Sequence, residues 1–141
     1  MIRRTRQRAA IREAFESHGR PLSPEEVLGT AQNAVDGLGI ATVYRTIKSL
    51  LEEGWLAEVE LPGQPSRYEV AGKKHHHHFH CRNCGKVYEL TGCNGGYGDI
   101  VPEDFRVTGH QVILYGHCSR CANPQPAAEA ESPVTETGNA I

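Results

Sequence analysis

Four of the chain's five cysteines fall into two pairs of identical spacing, Cys81-x-x-Cys84 and Cys118-x-x-Cys121. Two intervening residues let both sulfurs of a pair turn toward one ion, and two such pairs make a closed tetrahedral tetrathiolate site of the kind zinc favours. A closed site has no open position for substrate or water, so its role is structural. It ties together the ends of the segment it encloses, and its binding energy becomes folding energy. The long interval between the pairs places a whole strand-loop-strand unit inside the staple. A redox pair and an iron–sulfur cluster are the alternatives. In a reducing cytosol, paired cysteines favour metal ligation over disulfides. Cys93 stands alone in a glycine-rich stretch and reads as a free thiol.

The second chemistry-bearing run is His75-His76-His77-His78-Phe79-His80, immediately before the first zinc-type cysteine. In extended backbone, successive side chains point to opposite faces. His76 and His78 therefore face one way and His75 and His77 the other, so one strand can serve two metal sites. Neutral imidazoles joined by carboxylates suit Fe(II), Mn(II), Zn(II), Ni(II) or Co(II). Glu69 and Glu89, on neighbouring strand-like runs, can supply the carboxylates. An incidental polar linker is the alternative. Catalysis has little to stand on: there is no nucleophile elbow, no phosphate-cradling glycine loop and no His-Glu-x-x-His.

These groups need elements to hold them. The 141 residues suffice for one ordinary domain or two small ones, and small domains need a metal, a disulfide or a partner subunit as a staple. No signal peptide opens the chain and no apolar run approaches membrane-spanning length, so a cytoplasmic protein without a membrane partner is expected. The formal net charge is only −2, but it is unevenly spread. Residues 1–12 carry Arg3, Arg4, Arg6, Arg8 and Arg12 and no acid, whereas the tail from Ala122 carries glutamates and no base. Such a basic end suits a polyanion.

The pattern predicts a helix over Thr5–Ser17, with Thr5 as N-cap. A second helix follows Ser23-Pro24-Glu25-Glu26 and runs to about Asn33, and a third spans about Ala41 to Glu53. Two strand-like runs, Trp55–Leu61 and Ser66–Val70, flank a Pro62-Gly63-Gln64-Pro65 turn. Three helices and a hairpin are the order of a winged helix-turn-helix, whose third helix enters the DNA major groove. Thr42, Tyr44, Arg45, Lys48 and Ser49 give that helix a hydrogen-bonding face suited to bases and phosphates. Beyond it, Lys86–Leu90 and Gln111–Gly116 read as strands, and Thr91–Pro102 is a poor helix candidate. The expected architecture is α+β: a winged-helix domain over 1–71, a His-rich hinge over 72–80, a small zinc-stapled α/β dimerisation domain over 81–122, and a disordered tail over 123–141.

Three stretches, Gly39–Thr46, His75–Val87, and Gly109-His110 with Leu114–Cys121, resemble the ferric uptake regulator superfamily over about residues 2–122. The resemblance implies a cytoplasmic homodimer that represses genes of metal uptake or homeostasis by binding palindromic double-stranded promoter DNA when its sensory site holds metal. By the same resemblance, Tyr44 and Arg45 are the recognition pair and Arg3 approaches the minor groove. Cys81, Cys84, Cys118 and Cys121 hold structural Zn(II). Glu69, His76, His78 and Glu89 form the regulatory hinge site, for Fe(II), Zn(II) or Mn(II), and His75, His77 and His110 belong to a third site. The chain also departs from the family pattern. Pro21 stands where a hinge histidine is common, with His18 nearby. Ala57 and Ala71 stand where zinc sensors place an aspartate and a cysteine, and Glu89 stands where peroxide sensors favour aspartate. The acid completing the third site is open among Asp99, Glu103 and Asp104. A metal-storage or chaperone protein, or a protein-interaction module, is the competing reading, and within the family a zinc- or peroxide-responsive member competes with an iron-responsive one.

Overall fold

The computed structural model describes residues 2–123; the tail beyond, read above as disordered, lies outside the described residues. Helix α1 spans Ile2–His18 and buries Ala10, Ile11, Ala14 and Phe15. It begins before Thr5, which lies inside the helix and does not cap it. Arginine, glutamine and alanine are strong helix formers and carry the helix toward the terminus. Helix α2 (Pro24–Ala31) starts as the sequence predicts. The Glu26 N–H donates to Ser23 Oγ at 3.1 Å, and the Ser23 N–H donates to the Glu26 carboxylate at 2.9 Å, a complete capping box. Helix α3 (Ile40–Glu52) buries Val43, Ile47 and Leu50 and leaves its other face wet. Gly54, at φ 81°, ends it in a conformation that side chains resist.

Strands β1 (Leu56–Leu61) and β2 (Gln64–Val70) pair antiparallel to form the wing. The turn is tighter than expected: Leu61 already faces Gln64, leaving Pro62 and Gly63 as its centre. Proline presets the first central position and Gly63, at φ 71°, supplies the second. Leu22 and Tyr68 exchange backbone hydrogen bonds of 2.8 and 2.9 Å, pinning the wing to the chain before α2. The three helices and Leu56 enclose one apolar core, in which Phe15 meets Trp55 edge-on at 6.4 Å between ring centroids.

The second sheet has the order β4-β3-β5. Central β3 (His77–Cys81) pairs antiparallel with β4 (Val87–Leu90) and parallel with β5 (Ile113–Gly116). The final residues of the segment read as a hinge, His77–His80, therefore belong to the middle strand of this sheet, and the connection shortens to the residues around Gly72. Parallel pairing of β3 and β5 requires a long crossover, commonly a helix. Here its only helical turn is the 3₁₀ piece Tyr97–Ile100, as the glycine-rich composition of Thr91–Pro102 predicts. A four-residue helix, α4 (Ser119–Ala122), closes the described chain. Val59 and Leu61 of the wing pack with Val87 and Ile113 of the second sheet. Arg67 donates from the wing to the Gly85 carbonyl at 3.2 Å. Among the described residues no helix is long and apolar enough to cross a membrane.

Candidate metal centres and DNA-binding face

Cys81 ends β3, Cys84 lies in the turn after it, and Cys118 and Cys121 flank the start of α4. The four sulfurs lie within 4.8 Å of one another. The geometry follows from the register: Cys81 pairs with Gly116 at the end of β5, two residues before Cys118. The backbone N–H groups of Cys84 and Cys118 both donate to Cys81 Sγ at 3.4 Å. Burial alone would raise the Cys81 thiol, but these amides and that of Asn83 hold it down to about 5. Tyr88 hydrogen bonding lowers Cys118 as well. Cys121 is aided by Asn83, yet burial and the neighbouring sulfurs push it up to about 11. Thiols crowded this way cannot all ionise without a cation among them. Four convergent sulfurs fit a closed zinc site.

The second cluster joins the two sheets. Glu69 on β2 is buried and places one carboxylate oxygen 2.8 Å from His76 Nε2 and the other 3.1 Å from His78 Nε2. The alternation expected of the histidine run holds, with the His76 and His78 rings 4.9 Å apart on one side. His76 Nδ1 donates to the Lys74 carbonyl at 2.7 Å, which leaves Nε2 as the donor atom for an ion. Burial pushes the Glu69 carboxyl up, but the two imidazoles outweigh it and hold it below the usual carboxylate range. Burial lowers His76, and the Lys74 carbonyl and Glu69 more than reverse this. Glu89, expected as a fourth ligand, sits opposite His78 on β4, but its carboxylate is engaged by Lys73 at 2.6 Å. The structure groups Glu69, His76 and His78 without it. His18 is not among the donors grouped with Glu69, and its Nδ1 lies 2.9 Å from the Ala14 carbonyl in its own helix.

A third cluster lies on the opposite side of the histidine run. His75, His77, His110 and Cys93 present donor atoms within 4.8 Å of one another. None of the three acids weighed for this site, Asp99, Glu103 or Asp104, belongs to the group; the fourth member is Cys93, which the sequence reads as a free thiol. Sequence spacing gave no signal for it, because 16 residues of crossover separate it from His110.

On the first domain, Arg3, Arg4 and Arg8 of α1 and Thr42, Arg45 and Ser49 of α3 line one open groove. Arg45 donates to Thr42 Oγ1 at 3.1 Å, and Arg8 to Ser49 Oγ at 3.2 Å. Tyr44 is half exposed beside the groove, its hydroxyl 3.4 Å from a Glu25 oxygen, and Lys48 is exposed on the same helix. Arg3, Arg4 and Arg8 come from the basic run that the sequence marks as suited to a polyanion, and α1 carries them to the same groove as Thr42 and Arg45 of the expected recognition face. Crowded guanidinium groups beside a helix that presents hydroxyls are what a phosphate backbone and base edges require.

The family model described as the ferric uptake regulator family matches residues 1–115. The ferric uptake regulation protein of Campylobacter jejuni is 33% identical over 127 residues, covering 86% of this chain and 81% of the relative. Among solved structures, the Helicobacter pylori ferric uptake regulator, described as having three functional metal-binding sites, superposes with a TM-score of 0.65 at 26% identity, over 84% of this chain and 81% of that one. A zinc-bound manganese uptake regulator gives 0.67 at 27% identity, over 79% and 87%.

Proposed function

The chain belongs to the ferric uptake regulator family of metal-responsive transcription regulators, and from that premise we propose that it is a repressor whose grip on palindromic promoter DNA is set by a divalent ion at the Glu69–His76–His78 junction. The observation that carries this reading is the meeting of Glu69, from the wing, with His76 and His78, from the segment entering the second sheet, at 2.8 and 3.1 Å. Among the described residues, no other group of ligand-type side chains joins the wing to the second sheet. A divalent ion bound there supplies positive charge that both domains can share. One carboxylate and two imidazoles without a thiolate suit Fe(II), Mn(II) or Zn(II).

The residues around the junction determine what closure accomplishes. Lys74 orients His76, and the Val59–Leu61–Val87–Ile113 cluster provides an apolar seat beside it. Fixing the wing against the second sheet fixes the direction in which α3 points. Regulators of this family bind promoter DNA as dimers. Exposed Leu114 and Tyr115 on β5, with Ile100, Phe105 and Val107 in the crossover before it, are apolar side chains a second copy would cover. In such a dimer the angle between domains sets whether two recognition helices match half-sites about 34–36 Å apart. Cys81, Cys84, Cys118 and Cys121 hold structural zinc at the far end of the sheet and take no part in the switch.

Coupling of this kind is worth about 1–3 kcal/mol, a 5–150-fold change in DNA affinity. The test is a gel shift with duplexes selected from a random pool, using the full chain with and without Mn(II) or Zn(II). A His76→Ala, His78→Ala variant is expected to stay folded, keep its tight zinc and bind DNA equally in both states. Unchanged metal dependence in that variant would overturn the assignment of the switch to this junction.

A further inference from the structure

The third cluster goes beyond that reading and does not depend on it. We propose that Cys93 is a metal ligand, and that with His75, His77 and His110 it forms a tetrahedral three-imidazole, one-thiolate site selective for Zn(II)-class ions over Fe(II) and Mn(II).

The geometry is that of a site. His75 Nε2 lies 3.1 Å from His110 Nε2, and Cys93 Sγ lies 3.1 Å from the same nitrogen. Zinc bonds of about 2.0–2.1 Å to nitrogen and 2.3 Å to sulfur place tetrahedral ligand atoms roughly 3.3–3.6 Å apart, so an ion enters with shifts of a few tenths of an ångström. The His77 ring stands 4.5 Å from that of His75 and 5.0 Å from that of His110. His77 is buried, and the Val112 N–H donates to its Nδ1 at 3.2 Å. That leaves His77 Nε2 buried without a partner among the described residues. Buried polar atoms are nearly always satisfied, and an orphan beside three donor groups is what an ion would resolve. Ligation through Nε2 requires the ring proton to move to Nδ1, at the expense of the Val112 contact.

Local structure explains how Cys93 arrives. Gly95 and Gly96, at φ 69° and 75°, turn the crossover sharply after Cys93. The 3₁₀ turn then sets the Tyr97 ring 4.6 Å from that of His110. Thiolate is the softest donor available to the site, and together with imidazole it selects zinc-type ions, whereas carboxylate and water suit manganese. Replacing the expected acid by Cys93 therefore changes which ion the site takes, and the four donors leave no open position.

The test uses the full chain after mild chelation that leaves the tetrathiolate zinc in place, with Co(II) as the probe. The expected result is a labile Co(II) with tetrahedral visible absorption and a near-ultraviolet sulfur-to-cobalt charge-transfer band, at constant zinc content. Zn(II) should abolish the band and Mn(II) should not. Cys93→Ser and His110→Ala should each lose it and lower Zn(II) affinity by at least about tenfold, while His76→Ala, His78→Ala retains it. A wild-type Co(II) complex without the band, or a band that survives in Cys93→Ser, overturns the proposal. An independent measurement needs no variant: Zn(II) should slow alkylation of Cys93 in the wild-type chain at least about tenfold, and an unchanged rate counts against ligation.

Discussion

The winged-helix domain and the second sheet are stabilised by different physics. The first gathers Ala10, Ile11, Ala14, Phe15, Leu22, Val27, Ala31, Leu38, Val43, Ile47, Leu50 and Leu56 into one buried cluster. From residue 72 onward, the only buried apolar side chains among the described residues are Cys81 and Val87. A three-stranded sheet with so little interior cannot offset its conformational entropy by apolar burial. What it has instead are donor clusters at both ends of β3: sulfurs at the Cys81 end, imidazoles at the His77 end. Apolar burial can fold a module that reads DNA, whereas a module held by ligands answers to the ions available to it.

The strongest way to break this comparison is to remove the staple. Structural zinc contributes an apparent ~10–16 kcal/mol in small zinc domains, as much as the whole stability of a typical domain, about 5–15 kcal/mol. Cys81→Ser, or chelation strong enough to strip the tetrathiolate site, should unfold the second sheet and release the dimer. Helices α1–α3 should keep their far-ultraviolet circular dichroism and their cooperative melt. Collapse of the helices together with the sheet would show that the two domains fold as one unit.

The reciprocal experiment targets the apolar core. Phe15 is 2% exposed and meets Trp55 edge-on. Phe15→Ala should cost about 3–5 kcal/mol through lost transfer energy and the cavity left behind. Urea unfolding followed by helical signal should shift by that amount while zinc content stays constant. Zinc loss in step with the helices would mean that the Val59–Leu61–Val87 contact couples the domains more tightly than its size suggests.

The same contrast decides what the sequence could reveal. The capping box at Ser23 and Glu26, the apolar faces of the helices and the paired cysteines are local signals, set by spacing along one element. Alternation along the histidine run also survived, because a strand enforces it. What the sequence did not reveal depends on long-range placement. Lys73, in the connection between the two sheets, takes the carboxylate of Glu89 on β4. Cys93 meets His110 only because the crossover turns back at Gly95 and Gly96. Fold class and the family resemblance were legible from the motifs, but the membership of each donor cluster required the register of β3 with β4 and β5. The start of α1 was misplaced for a simpler reason: arginine-rich sequence has high helix propensity but lacks the apolar periodicity that marks a boundary.

The smallest effect refines the comparison from the apolar side, where a charged pair sits at the edge of the core. Burial raises the Glu26 carboxyl, but hydrogen bonds from Arg20 and the Ser23 amide, with the Arg20 charge, bring it below the ordinary glutamate value. Arg20 reaches it at 2.7 Å, and both side chains are mostly covered. A carboxyl whose folded value is depressed stabilises the fold above its unfolded value, and that contribution is lost as pH falls through the folded one. Glu26→Gln keeps a capping side chain but removes the charge, so the parent should exceed it by about 1 kcal/mol near neutral pH. The difference should close in acid, below the usual glutamate range. Comparing parent and variant cancels the protonation of thiols and imidazoles in the second domain, which acid also disturbs. A constant difference across the whole pH range would mean that Glu26 acts through its shape in the capping box and not through its charge.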